Sequence, residues 1–134
     1  GDVYKRQELV EACERTGTEV LLVCPEVFGG LPTPRKPSEI VNGEVCTCEG
    51  ISVDREFRLG AQRALDMCER AGGPSEISAC ILQDRSPSCG AGRIYDGTFS
   101  GTLTAGNGVF VDLLLRHGYR VIPASEFDPS MLEQ

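Results

Sequence analysis

The stretch "VCPEVFGG" puts a thiol, Cys24, two residues before a carboxylate, Glu26. A thiolate is a soft metal ligand or a nucleophile, and a carboxylate moves protons. A second stretch, "RSPSCGAG", surrounds Cys89 with the hydroxyls of Ser86 and Ser88 and with Gly90 and Gly92. Pro87 orders that turn, and successive backbone N–H groups in such a turn cradle an anion or cluster sulfides. Taken alone, either cysteine is also a small apolar side chain that packs well at a strand end. Arg35 and Lys36 in "PTPRKP" belong to a solvated loop or to an arm over a pocket, with Arg35 pairing a carboxylate or a substrate carbonyl.

The elements around these stretches explain how they meet. "ELVEACERTG" reads as a short helix closed by Gly17. "EVLLVC" is a continuous apolar run, read as a buried strand ending near Cys24. A polar stretch, 25–50, carries four prolines, and "EVCTCEGISV" within it is expected to form a short β-ribbon. Gly29 and Gly30 are expected to let backbone approach a ligand. From Asp54 onward, Phe57, Ala61, Ala64, Leu65 and Cys68 keep a helical spacing that Gly72-Gly73-Pro74 ends.

"EISACIL" is a second buried strand, followed by a Gly/Ser/Thr-rich loop over 85–108 in which Asp96-Gly97 is expected to make a tight hairpin turn. Asn107 is placed to cap a last helix through Phe110, Leu113, Leu114 and His117, and "YRVIP" is the final strand. Helices alternating with apolar strands predict an α/β fold. It is a three-layer, mainly parallel, Rossmann-like sheet with helices on both faces and two long site-forming loops. In such sheets the site lies past the carboxyl ends of the strands, so Cys24 and Cys89 are expected to converge on one rim. Residues 1–7, "GDVYKRQ", show no amphipathic pattern and read as foreign or linker sequence, leaving 8–134 as one domain.

Composition narrows the partners. The 134 residues carry 13 basic and 20 acidic side chains, a net charge of −7. That balance argues against a nucleic-acid backbone and against an anionic membrane surface. No run is apolar for long enough to span a bilayer. Seven cysteines, an odd number set among ordinary helix and strand patterns, fit a reducing cytoplasm better than a secreted disulfide framework. Cys13, Cys68 and Cys80 match core stripes. Cys46 and Cys48 form a C-x-C pair, a weak metal signal. His117, the single histidine, sits where it favours a helix dipole, so a Ser-His-Asp or Cys-His mechanism has little support. The glycines of "RIYDGTFSGTLTAGNG" lack the lysine of a P-loop and the strand-then-helix setting of a dinucleotide fingerprint.

Together, "VCPEVFGGLPTPRKPSEI", "RSPSCGAGRIYDGTFSGT" and "GNGV" before the final helix resemble the thiouracil desulfidase family, also catalogued as domain of unknown function 523. The resemblance runs from about Leu9 to the C-terminus. It implies a [4Fe–4S] cluster held by three cysteines, with its fourth iron open to substrate. Two of the three match Cys24 and Cys89. The third belongs to a first strand ending in a Cys-Leu-Leu-Gly-like motif that this chain lacks, so the chain is expected to be N-terminally truncated and to hold a cluster poorly. The family often has "TKEG" where "TCEG" stands at 47–50, and lysine where Gln83 stands.

The implied reaction is a non-redox desulfuration of a small thiolated nucleobase. The thione sulfur binds the open iron, which polarises its carbon, and water replaces the sulfur. Glu26 is expected to serve as acid/base and Ser86 to orient the substrate or water, with Arg35, Ser88 and Asp96 as substrate contacts. Two competing readings are a non-enzymatic small-molecule or iron–sulfur sensing module, and a metal-free thiol enzyme using Cys89 as nucleophile.

Overall fold

The computed structural model describes residues 2–133. Among them the chain forms helices α1 (Asp2–Thr16), α2 (Pro25–Phe28), α3 (Asp54–Arg70) and α4 (Val109–Arg116). Its strands are β1 (Ser38–Val41), β2 (Glu44–Thr47), β3 (Cys80–Leu82), β4 (Arg93–Tyr95), β5 (Leu103–Ala105) and β6 (Val121–Pro123). Helix α1 starts earlier than its apolar pattern suggested, taking in most of the heptad expected to lie outside the domain.

The core forms where the helical spacing of α3 predicts it. Ala61, Ala64, Leu65 and Cys68 meet Phe110, Val111 and Leu114 of α4, with Leu82 and Tyr119 closing the cluster. Burial of these aliphatic and aromatic groups is the main force holding the two helices together. Asp54 ties α3 to the sheet, its carboxylate accepting from the Val45 backbone N–H at 3.0 Å.

The sheets are small and mixed. β1 and β2 form an antiparallel hairpin, β4 and β5 a second antiparallel pair, and β3 with β6 a parallel pair. The hairpin turns on Asn42-Gly43, both at positive φ (51° and 80°), which matches the strand twist. The expected ribbon is thus shifted: β2 pairs with "SEIV" before it, and only a single bridge joins Cys46 to Ser52.

Three other expectations need correction. "EVLLVC" is not a buried strand: Val20, Leu21 and Leu22 are exposed, and the segment has no ladder partner among the described residues. Apolar β-branched sequence favours extension, but a strand exists only when a neighbour takes its N–H and C=O groups. Asp96-Gly97 opens a longer connection, 96–102, between β4 and β5. Asn107 does not cap α4; its side chain accepts from Gly92 N–H at 2.8 Å. The first turn of α4 is capped by main chain instead. Val109 N–H donates to Pro87 C=O at 2.7 Å and Phe110 N–H to Ser88 C=O at 2.9 Å. Among the described residues no helix is long and apolar enough to cross a membrane.

Candidate functional site

Cys24 sits at the N-cap of α2, with Pro25 opening the helix and Glu26 in its first turn. Proline suits that position because its missing N–H would have no helical partner there. Helix α2 is set by close backbone packing. A Cβ on Gly29 would strike the Glu56 carbonyl of α3, and one on Gly60 of α3 would strike the Pro25 carbonyl. Gly29 therefore serves helix contact rather than approach to a ligand. Arg63 of α3 completes the lock by donating to the Phe28 carbonyl at 2.5 Å.

Arg35 reaches back over α2. Its Nη2 donates to Glu26 Oε2 at 3.2 Å and approaches Cys24 Sγ at 3.8 Å. Its Nη1 donates to the Pro32 carbonyl and to Thr33 Oγ1. The guanidinium is thereby held by its own loop while it bridges the carboxylate and the sulfur, an arrangement its planar fork favours.

Ser86 accepts from the Cys89 backbone N–H at 2.8 Å, which folds 86–89 into a tight turn. Ser88 is 1% exposed, and its Oγ accepts from Cys89 Sγ at 3.6 Å, so the hydroxyl meets the sulfur inside the protein. Burial pushes the Cys89 thiol up to about 11; the Ser88 hydroxyl works against this, and the nearby Glu26 and Cys24 add to it. Glu26 and Cys24 thus lie near enough to Cys89 to act on it electrostatically.

Beside these groups lies an open cleft of about 550 Å³, whose walls include Glu26, Arg35, Ser86, Tyr95 and Phe99. Asp96 does not line it. The Asp96 carboxylate accepts from the N–H and hydroxyl of Thr98, which hold its carboxyl below the usual range. Cys48 is exposed on the cleft and Lys36 pairs with Glu49 nearby. Among the described residues no three His, Cys, Asp or Glu side chains converge as a metal-binding group. Cys24 and Cys89 are free thiols, of the chemical type a thiophilic metal takes. Sequence reasoning missed Glu39, Tyr95 and Phe99 on the cleft.

Comparison with known proteins agrees with these motifs. The family model described as 2-thiouracil desulfurase matches residues 2–126. The curated protein YbbK of Bacillus subtilis (strain 168), described as uncharacterized, is 38% identical over 120 residues, covering 82% of this chain and 77% of its own. The solved structure of the [4Fe-4S]-dependent thiouracil desulfidase TudS is 43% identical with a TM-score of 0.78, covering 88% of this chain and 75% of its own. With matched sequence running through both cysteine loops and the helices that position them, this chain belongs to the 2-thiouracil desulfurase family.

Proposed function

We propose that this chain carries out the non-redox desulfuration of a small thiolated nucleobase such as thiouracil. Water replaces the thione sulfur, giving the oxo compound and hydrogen sulfide with no net electron transfer. The observation that carries this reading is the Arg35 bridge between Glu26 and Cys24 at the edge of the cleft. Cys24 and Cys89 would hold a [4Fe–4S] cluster. When bound, the cluster supplies a thiophilic Lewis acid for the departing sulfur.

The chain's own residues manage the protons. Glu26 takes one from the attacking water and returns it to the ring nitrogen or the leaving sulfur. Arg35 fixes the Glu26 carboxylate. Ser86 holds the Cys89 turn through its oxygen and donates its proton to the substrate or water. Arg35 also meets the substrate, while Ser88 and Asp96 act through Cys89 and the 96–102 connection. All seven cysteines are free, which suits a reducing cytoplasm.

The thiol-enzyme alternative draws less support, because burial disfavours the nucleophilic thiolate form of Cys89. The Glu26 carboxylate held by Arg35 on the cleft favours an enzyme over a sensing module.

Anaerobic reconstitution with iron and sulfide, followed by conversion of 2-thiouracil to uracil, tests the proposal. Glu26→Gln should hold as much iron as wild type and turn over about a hundredfold more slowly. Equal turnover removes Glu26 from the mechanism. A chain that binds no iron while Cys89 alkylates readily moves the chemistry to a free thiol.

A further inference from the structure

Glu39 has no part in that proton chemistry, yet it is a carboxylate only 7% exposed on the wall of the cleft. One oxygen, Oε1, accepts from the backbone N–H groups of Gly97 at 2.9 Å and Phe99 at 3.1 Å. These bonds reach across 58 and 60 residues of sequence and pin the β4–β5 connection onto β1. The loop lies so close that a Cβ on Gly97 would sit 2.6 Å from the Ile40 carbonyl oxygen. Phe99 is held there at φ 56°, a left-handed conformation that a bulky side chain adopts only when its surroundings impose it. A buried charged acceptor taking two N–H groups is a strong enough tie to impose it. Tyr95, at the end of β4, is held by its N–H to the Arg85 carbonyl at 3.3 Å. Both residues line the same cleft as Glu26, Arg35 and Ser86.

We infer that Glu39 is a positioning residue that sets Phe99 as an aromatic wall alongside Tyr95, and that this wall selects planar heteroaromatic thiones over acyclic ones. The inference rests on the desulfidase reading and names what its site accepts. Ring faces stack on aromatic side chains with little dependence on ring substituents, so the wall supplies affinity while the rim supplies chemistry.

The test uses the reconstituted chain with Glu39→Ala, Glu39→Gln and Phe99→Ala. It reads kcat and KM for 2-thiouracil and for thiourea, and the Kd of uracil by calorimetry, which needs no turnover. Phe99→Ala and Glu39→Ala should each raise KM for thiouracil and Kd for uracil about tenfold, with kcat within about twofold and KM for thiourea unmoved. Glu39→Gln keeps the acceptor oxygen and should restore most of the affinity. Amide exchange at Gly97 and Phe99 should quicken in Glu39→Ala. If Glu39→Ala does not fold, Phe99→Ala, which lies outside the core, still decides the matter. Unchanged KM and Kd in Phe99→Ala overturn the wall, as does a wild type that binds no uracil. Uracil binding that weakens in Phe99→Ala, in a chain that does not desulfurate thiouracil, keeps the wall and sinks the desulfidase reading.

Discussion

Replacing Gly60 by alanine adds one methyl group to α3, well away from either thiol, and should cripple the site. The added Cβ would strike the Pro25 carbonyl oxygen, and it would lie 2.7 Å from the Pro25 carbonyl carbon and 2.9 Å from Gly29 nitrogen, where ordinary contact begins at 3.4 Å. All three atoms are backbone, so none can rotate away, and α2 must retreat from α3 by more than about 1 Å. Two effects on stability oppose each other. Overpacking costs about 1–3 kcal/mol. Alanine inside a helix gains back about 1 kcal/mol over glycine. The net is a loss of zero to about 2 kcal/mol, or a fall in Tm of about 3–5 °C per kcal/mol for a chain of this size.

Activity should suffer far more, because α2 carries Cys24 at its start and Glu26 in its first turn. A misplacement near 1 Å costs about a hundredfold in rate. The assay pairs thermal melting with desulfuration of 2-thiouracil by the reconstituted protein. Leu59→Ala, at an exposed neighbour on the same helix, serves as control. A Gly60→Ala protein with wild-type melting and wild-type turnover would refute the argument that α3 sets the position of α2.

Two further outcomes check the fold around the site. Burial raises the Asp54 carboxyl, but hydrogen bonds from Arg58 and from Val45 N–H outweigh it and hold the group below its ordinary 3.8. Its contribution to stability is therefore intact above the unfolded value and lost as pH falls through the lower folded value. Urea midpoints of Asp54→Asn should fall less steeply than wild type between about pH 5 and pH 2; parallel curves would detach Asp54 from β2. In brief iodoacetamide treatment of the metal-free chain, Cys48 should react first, because it is exposed. Cys13 and Cys68 are buried, and burial pushes Cys80 up to about 11, so these three should react only on unfolding. Peptide mass spectrometry reads the order, and early modification of Cys80 would contradict its place in the β3–β6 pair.

The sequence was most legible where one physical signal acted alone. The spacing from Phe57 to Cys68 demanded a buried helical face, and α3 has it. The two cysteine loops stood out because thiol, carboxylate, hydroxyl and glycine cluster within a few residues in each. Legibility failed where the outcome depended on a partner distant in sequence. "EVLLVC" has strand composition, but pairing is a property of two segments, and no ladder partner meets it among the described residues. Gly29 looked like a ligand-facing glycine because its true contact, the Glu56 backbone, lies on another helix. Glu39 was invisible for the same reason: a glutamate in a short hairpin reads as solvated until the 97–99 amides arrive to bury it.

The carbonyls of Pro87 and Ser88 belong to the cysteine turn, yet they close the first turn of α4. That sharing makes the turn and the helix one module. An engineer could not graft "SPSC" alone onto another scaffold and expect Cys89 to point the same way, since the graft would leave behind the N–H groups that define it. Core changes at Phe110 or Val111 would likewise act as site changes, felt by the thiol through two or three shared hydrogen bonds.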